Sequence, residues 1–136
     1  MLGVGAGMVS GSGIAHADRV VDDSTGFASP SGNIYCIIDP SGVRCDIRDR
    51  DWSPPPRPAN CPPVTVYGQG IDIAPGYPAR FVCAGDTTFN QNGALAYGDS
   101  ITAGVLRCTS AESGMTCRDL QTGHGFTLAR QAYDLF

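Results

Sequence analysis

The chain has 136 residues and a formal net charge of −4, and all nine of its basic residues are arginine. A chain of this length forms one domain with a small core. The arginines form no basic cluster, so the positive patch that nucleic acid requires is missing and we expect no nucleic-acid partner. No stretch approaches the roughly 18 apolar residues that span a bilayer, so we expect no membrane-spanning segment.

Residues 1–17 differ from the rest of the chain and resemble the end of a signal peptide. They contain no acid and no arginine, are rich in Gly, Ala and Val, and end in Ala15-His16-Ala17. Signal peptidase cleaves after Ala-x-Ala, so we expect maturation between Ala17 and Asp18. The alternative is a glycine-rich terminus without a processing signal. We expect a flexible lead-in over 18–26 and a single domain over 27–136.

Short runs of strand-forming residues follow, separated by Gly, Pro, Asp and Ser. They predict strands at 33–38, 43–47, 64–67, 80–83, 104–110, 114–117 and 126–130. The one stretch with helical spacing is 128–136. Segment 53–63 contains six prolines and is typical of an extended connector, although a ligand for an aromatic groove is the alternative.

The chain has six cysteines: Cys36, Cys45, Cys61, Cys83, Cys108 and Cys117. An even number in a short exported chain indicates a disulfide framework. Zinc sites favour Cys-x2-Cys spacing, whereas the nearest cysteines here are nine positions apart. We therefore expect disulfides, no metal and no cofactor.

Two segments, 32–45 and 104–117, repeat one pattern at a constant shift of 72 positions. The shift superposes a glycine, both cysteines and a Ser-Gly pair, which makes five identities in fourteen positions. Either an old duplication or two uses of one hairpin explains the match.

Each copy has the composition of a stapled hairpin. In the first, Asp39-Pro40-Ser41-Gly42 is a strong turn sequence because proline presets φ at its second position. A four-residue loop places Cys36 opposite Cys45, and the same count places Cys108 opposite Cys117. Directly opposed residues lie about 4.5 Å apart at Cα, within disulfide range. The predicted bridges are Cys36–Cys45, Cys108–Cys117 and, with the remaining two, Cys61–Cys83.

Gly98-Asp99-Ser100-Ile101 resembles the nucleophile block of SGNH (GDSL-type) hydrolases, in which the serine attacks an ester. That block implies a large α/β/α domain and a downstream Asp-x-x-His, but only 36 residues follow Ser100. The one histidine among them, His124, has no aspartate three residues before it. A serine without an oriented base is not activated, so we expect a structural role for Ser100.

Three further features carry alternative interpretations. His124 between glycines suits either a pH-sensitive contact or a polar turn residue, and we favour the turn. Asp46, Asp49 and Asp51 suggest calcium, but the interleaved arginines favour a solvated, self-neutralising face. Trp52, the only tryptophan, suits a binding platform or, more commonly, core filling beside a disulfide.

Three motifs link the chain to a known group of proteins. They are Phe27-x-Ser29-Pro30-Ser31-Gly32-Asn33-Ile34-x-Cys36, Phe81-Val82-Cys83-x-Gly85-Asp86-Thr87, and Gly123-His124-Gly125-Phe126-x-Leu128-x-Arg130. Over residues 27–136 the sequence resembles a family of small exported six-cysteine proteins of mycobacteria and related actinobacteria. That family has no assigned activity, so the resemblance implies export, disulfides and one domain, and no catalytic residue.

These features predict an all-β fold with little helix, a small sandwich or barrel that contains two stapled hairpins. We expect a secreted or cell-wall-associated, non-enzymatic module that binds a protein, a glycan or a small apolar ligand. The alternatives are a small secreted hydrolase using Ser100 or His124, and an inhibitor that presents the 39–42 turn. The expected ligand contacts are Trp52, Tyr67, Tyr77, Phe89, Tyr97 and His124.

Overall fold

The computed structural model describes residues 16–136, which form eleven strands and no helix. Of the expected signal segment 1–17, residues 1–15 lie outside the described residues. The strands are β1 (Asp18–Val20), β2 (Thr25–Ala28), β3 (Ile34–Asp39), β4 (Gly42–Ile47), β5 (Tyr67–Ile73), β6 (Arg80–Cys83), β7 (Ser100–Ala103), β8 (Leu106–Ala111), β9 (Gly114–Asp119), β10 (Gly125–Leu128) and β11 (Tyr133–Leu135).

The strands form two sheets that face each other across one core. The first sheet has the order β2-β3-β4-β5-β6, and the second has the order β11-β10-β9-β8-β7-β1. Among these eleven described strands, every strand pairing is antiparallel except that of β1 with β7. The all-β fold is therefore confirmed, and it is sandwich-like and not a closed barrel.

Alternation along the strands decides which side chains enter the core. In β3, Ile34, Cys36 and Ile38 are buried while Tyr35 and Ile37 between them are not. Successive side chains in a strand point to opposite faces, so one face of the sheet is apolar and must be covered. The other sheet presents the matching apolar face, and the two faces form one continuous cluster of buried residues.

The repeat extends well beyond the two hairpins. In each sheet, an apolar residue of the preceding strand and one of the following strand lie directly opposite the hairpin's cysteines. These partners are Phe27 and Ile71 in the first sheet and Ile101 and Phe126 in the second. Each half is thus a five-stranded meander with the same order and the same alignment about its disulfide. This correspondence favours duplication over two independent uses of a hairpin.

The structure contains the three disulfides that the sequence predicts. The Cα atoms are 4.1 Å apart in Cys36–Cys45 and 4.0 Å apart in Cys108–Cys117, as expected for directly opposed residues. In Cys61–Cys83 the separation is 5.9 Å. This third bridge ties the proline-rich connector to β6, the edge strand of the first sheet.

The strand predictions fail mainly where side-chain patterning is weak. The strand expected at 64–67 is instead β5, Tyr67–Ile73, which contains two glycines, and β7 at Ser100–Ala103 was missed. A helix over 128–136, which the spacing suggested, is also wrong, because Tyr133–Leu135 forms the edge strand β11. There, backbone pairing with β10 outweighs a short helical spacing.

The lead-in expected at 18–26 carries regular structure. Asp18–Val20 pairs in parallel with β7, and β2 begins at Thr25. The side chains of β1 are all exposed, so no hydrophobic pattern marks this strand in the sequence. Its pairing with β7 is made by the backbone, with one added side-chain hydrogen bond from the Thr102 hydroxyl to Asp18.

Candidate functional site

A large concave feature lies on the outer face of the first sheet. We call it the outer groove; its volume is about 680 Å³, within the range of small-molecule sites. The β3–β4 turn, the β5–β6 loop and the segment that follows β6 form its walls. Its lining includes Ile37, Asp39, Ser41, Arg44, Asp72, Tyr77, Pro78, Arg80, Asp86 and Thr88.

An arginine held between two carboxylates forms part of the floor. Arg44 Nε and Nη2 donate to the two carboxylate oxygens of Asp46, at 3.0 and 2.9 Å. Nη1 donates to the Asp86 carboxylate at 2.7 Å, and Nη2 also donates to the Asp86 carbonyl at 2.9 Å. A two-pronged guanidinium–carboxylate pair is strong and directional, so the arginine cannot swing freely.

Asp46 is buried although it lies on the outer face of the sheet. The segment after β6 crosses above it, and the Thr88 backbone N–H donates to its carboxylate at 3.2 Å. Gly70 lies opposite in β5, where an added Cβ would fall 2.2 Å from Asp46 Oδ1. Only glycine leaves room for the carboxylate there, which explains the glycine at position 70.

The remaining charges of the outer groove leave a surplus of negative charge. Arg80 Nε pairs with Asp72 at 3.0 Å. Asp39 has no cationic partner among residues 16–136; the hydroxyl and the backbone N–H of Ser41 donate to it, and these bonds lower the pKa of its carboxyl. The hydrogen bond and the charge of Arg44 likewise lower the pKa of Asp86. Two arginines therefore face four aspartate side chains, namely Asp39, Asp72, Asp86 and the buried Asp46.

Apolar side chains complete the wall of the outer groove. Tyr77 is 69% exposed and Ile37 is 36% exposed, and both line it. Ile37 points outward because its neighbours in β3 fill the core. An exposed aromatic ring beside unneutralised carboxylates is an arrangement that favours organic cations.

Of the six expected ligand contacts, Tyr77 alone lines the outer groove. Trp52 is partly buried: its Nε1 donates to the Ala129 carbonyl at 2.8 Å, and its ring packs on Tyr133 with centroids 4.7 Å apart. Tyr67 packs nearby on Phe81. These aromatic side chains close one end of the sandwich, so Trp52 takes the core role that we considered commoner.

The other expected contacts lie in separate places. Phe89 packs against the ring of Tyr35 and beneath the guanidinium of Arg48, which is 4.1 Å from its centroid. Tyr97 is exposed and lines a smaller cleft of about 300 Å³. His124 is half-buried in the β9–β10 turn, where its carbonyl accepts the Asp119 N–H.

The interpretation of Asp46, Asp49 and Asp51 as one solvated face is wrong for Asp46. Its side chain is 1% exposed and is neutralised by Arg44. Asp49 is exposed and its backbone is held by the Asn33 amide, while Asp51 lies 3.7 Å from Arg130. The crossing segment buries the first position of this cluster, which strand alternation alone does not show.

Ser100 is buried at the start of β7, and its Oγ is 2.9 Å from the hydroxyl of Thr109 on the neighbouring strand. His124 precedes β10, three strands away across the second sheet. Three strand spacings amount to roughly 14 Å, so the structure does not bring these two residues together.

Within residues 16–136, no three His, Cys, Asp and Glu side chains are grouped so as to hold a metal ion. The same residues include no helix long and apolar enough to cross a membrane.

Sequence reasoning missed the residues that define the outer groove, namely Ile37, Arg44, Asp72 and Asp86. One signal was available: Arg44 and Asp46 are two apart on a predicted strand and therefore share a face. Asp86 and Thr87 also stand in one of the quoted motifs. Nothing in the sequence shows that the chain after β6 folds back over that face.

The comparisons with known proteins place the chain in a family. The chain belongs to DUF6636, a family of unknown function. The family model matches residues 12–136, which include every strand of both sheets. No curated protein and no solved structure matches the chain. Membership in DUF6636 therefore indicates neither a ligand nor an activity.

Proposed function

We propose that this DUF6636 protein is an exported, non-enzymatic binding module of the cell envelope or secretome, and that the outer groove holds its ligand. One observation carries the proposal: a groove of about 680 Å³ combines an exposed tyrosine with a surplus of carboxylates on a rigid floor. Ligand sites typically join an apolar lining to a few fixed polar groups. The Arg44 contacts fix those groups before any ligand arrives.

The charge balance of the outer groove selects the ligand chemistry. Asp39 has no cationic partner among the described residues, and Arg44 cannot neutralise both Asp46 and Asp86. The ligand is therefore a small molecule or an exposed peptide side chain that carries a cationic group beside an apolar one. The apolar part lies against Tyr77 and Ile37, and the cation faces the carboxylates.

Export is supported by the disulfides, by the Ala15-His16-Ala17 sequence and by the resemblance to exported actinobacterial proteins. N-terminal sequencing of protein exported from the full gene should give a chain that begins at Asp18. Secreted protein that retains residues 1–17 would contradict this part of the proposal.

Binding is tested with three matched probes: 2-phenylethylamine, 3-phenylpropionate and 2-phenylethanol. We expect the amine to shift the backbone amide NMR signals of Ile37, Arg44 and Tyr77, and the other two probes to shift them far less. Tyr77→Ala should abolish the shifts, whereas Tyr97→Ala, a matched change at another exposed tyrosine, should preserve them. Equal shifts with all three probes, or none with the amine, would rule out the proposed ligand chemistry.

A further inference from the structure

The outer face of the second sheet carries two arginines directly opposite each other. Arg107 in β8 and Arg118 in β9 are register partners next to the Cys108–Cys117 pair. Because those cysteines enter the core, both arginines lie on the outer face, with Cα atoms about 5.5 Å apart. Like charges directly opposite across strands are destabilising unless something neutralises them.

The described residues neutralise the positive charges of Arg107 and Arg118 only in part. Arg107 Nε is 3.8 Å from Asp18 Oδ1 and has no hydrogen-bond acceptor. Arg118 lies over the Phe136 ring, 5.1 Å from its centroid, and pairs with no carboxylate within residues 16–136. The acids of this face, Asp18 and Asp134, stand on the strands at its two edges, so positive charge is concentrated at the centre.

The duplicated half offers an internal comparison. The shift of 72 positions places Tyr35 and Asp46 where the second sheet has Arg107 and Arg118. In the first sheet the carboxylate at this position neutralises Arg44 beneath the crossing segment. In the second sheet Arg118 takes the position of Asp46, so a guanidinium replaces the carboxylate, and Arg118 is exposed.

A row of hydroxyl groups runs beside the arginines. Thr109, Thr116 and Thr127 are consecutive register partners across β8, β9 and β10 on the same face. The hydroxyls of Thr116 and Thr127 are 2.9 Å apart, and each retains hydrogen-bonding capacity. Hydroxyls at strand spacing next to a positive centre match a ligand that has both hydroxyls and an isolated negative charge.

We propose that the outer face of the second sheet binds an anionic glycan, with Arg107 and Arg118 on its carboxylate or phosphate group and the threonine row on its hydroxyls. Guanidinium groups recognise both kinds of oxyanion through paired hydrogen bonds. This site is separate from the outer groove, so either can fail without the other.

The experiment measures binding of the full disulfide-bonded protein to hyaluronate oligosaccharides, phosphorylated dextran, unmodified dextran and vesicles containing phosphatidylglycerol. We expect binding to one or both anionic glycans that weakens with salt, and none to unmodified dextran. The stronger of the two anionic glycans identifies carboxylate or phosphate as the recognised group.

Arg107→Gln/Arg118→Gln should weaken glycan binding at least about tenfold, because it removes the charged donors. Arg48→Gln/Arg130→Gln, which changes the net charge equally at exposed positions elsewhere, should leave binding nearly unchanged. Backbone amide NMR signals of the first sheet that match those of the wild type would show that the first variant is folded. The proposal is overturned if neither anionic glycan binds, if the control variant loses as much affinity, or if the vesicles bind more tightly than both glycans.

Discussion

The Sγ atom of Cys45 lies 3.8 Å from the Sγ atom of Cys117. Both sulfurs belong to disulfides, so the contact is van der Waals packing of one bridge against the other across the core. The two cysteines also occupy equivalent positions in the repeat, 72 residues apart. Equivalent residues that touch lie close to the axis relating the two halves, so the sandwich is centred on this pair.

Removal of one central bridge should therefore loosen the opposite sheet. Cys36→Ala/Cys45→Ala costs about 2.7 kcal/mol in loop closure and leaves a cavity beside Cys108–Cys117. We expect hydrogen exchange to quicken in β8 and β9 as well as in β3 and β4. Cys61→Ala/Cys83→Ala, which removes a bridge at the sheet edge, should leave β8 and β9 protected. Unchanged exchange in β8 and β9 after loss of the central bridge would refute the coupling.

Asp46 should be far more important for stability than Asp86, although both bind the same guanidinium. Asp46→Asn keeps the side-chain volume but removes the buried partner of Arg44, which should cost about 3 kcal/mol of unfolding free energy. Asp86→Asn is the matched control, and since its side chain is 79% exposed we expect little change. Chemical denaturation measures the unfolding free energy of both variants. Equal losses of unfolding free energy would show that Arg44 does not depend on the buried carboxylate.

Asp119 should make stability depend on acidity. It takes the repeat position of Ile47, yet it is buried and accepts backbone N–H groups from Gly76, Gln121 and Thr122. These bonds, chiefly the one from Gly76, lower the pKa of its carboxyl. In the unfolded chain the pKa is about 3.9, so the folded state binds fewer protons in this range.

The stabilisation by ionised Asp119 is therefore complete above about pH 4 and is lost as the pH falls through the lowered folded pKa. Unfolding free energies of the wild type and Asp119→Asn, measured from neutral pH down to strong acid, should differ at neutral pH and converge in acid. A constant difference between the two curves would show that Asp119 does not titrate in this way.

Ser100→Ala should behave as a structural substitution. It removes one hydroxyl that bonds to Thr109, so we expect a loss of about 1 kcal/mol or less. Thr109→Ala should cause a loss of similar size, since it removes the other half of the same bond. Stoichiometric labelling of Ser100 in the wild type by a fluorophosphonate would contradict this role and support a hydrolase.

The sequence predicts the hairpins well because two local signals agree there. The Pro-Ser-Gly turn sets the loop length, and the equal spacing of both cysteine pairs sets the register, so Cys36 meets Cys45 without information from the rest of the chain. In contrast, β1 has no buried side chain, and the reason for Gly70 in β5, which is room for Asp46, lies on another strand. Such elements are specified by partners distant in sequence.

The outer groove could not be predicted from the sequence for the same reason. Its floor uses alternate residues of predicted strands, but its walls come from the β5–β6 loop and from the segment that crosses the first sheet. Asp86 reaches Arg44 over a separation of 42 positions, and no local pattern predicts such a contact. Tyr77 was predicted as a contact only because it is aromatic.

The most direct test of the proposed function is a crystal structure of the protein with 2-phenylethylamine. We expect the phenyl ring between Tyr77 and Ile37 and the ammonium group within hydrogen-bonding distance of Asp39 or Asp86. An empty outer groove at saturating amine, or an amine bound only at another surface, would contradict the account.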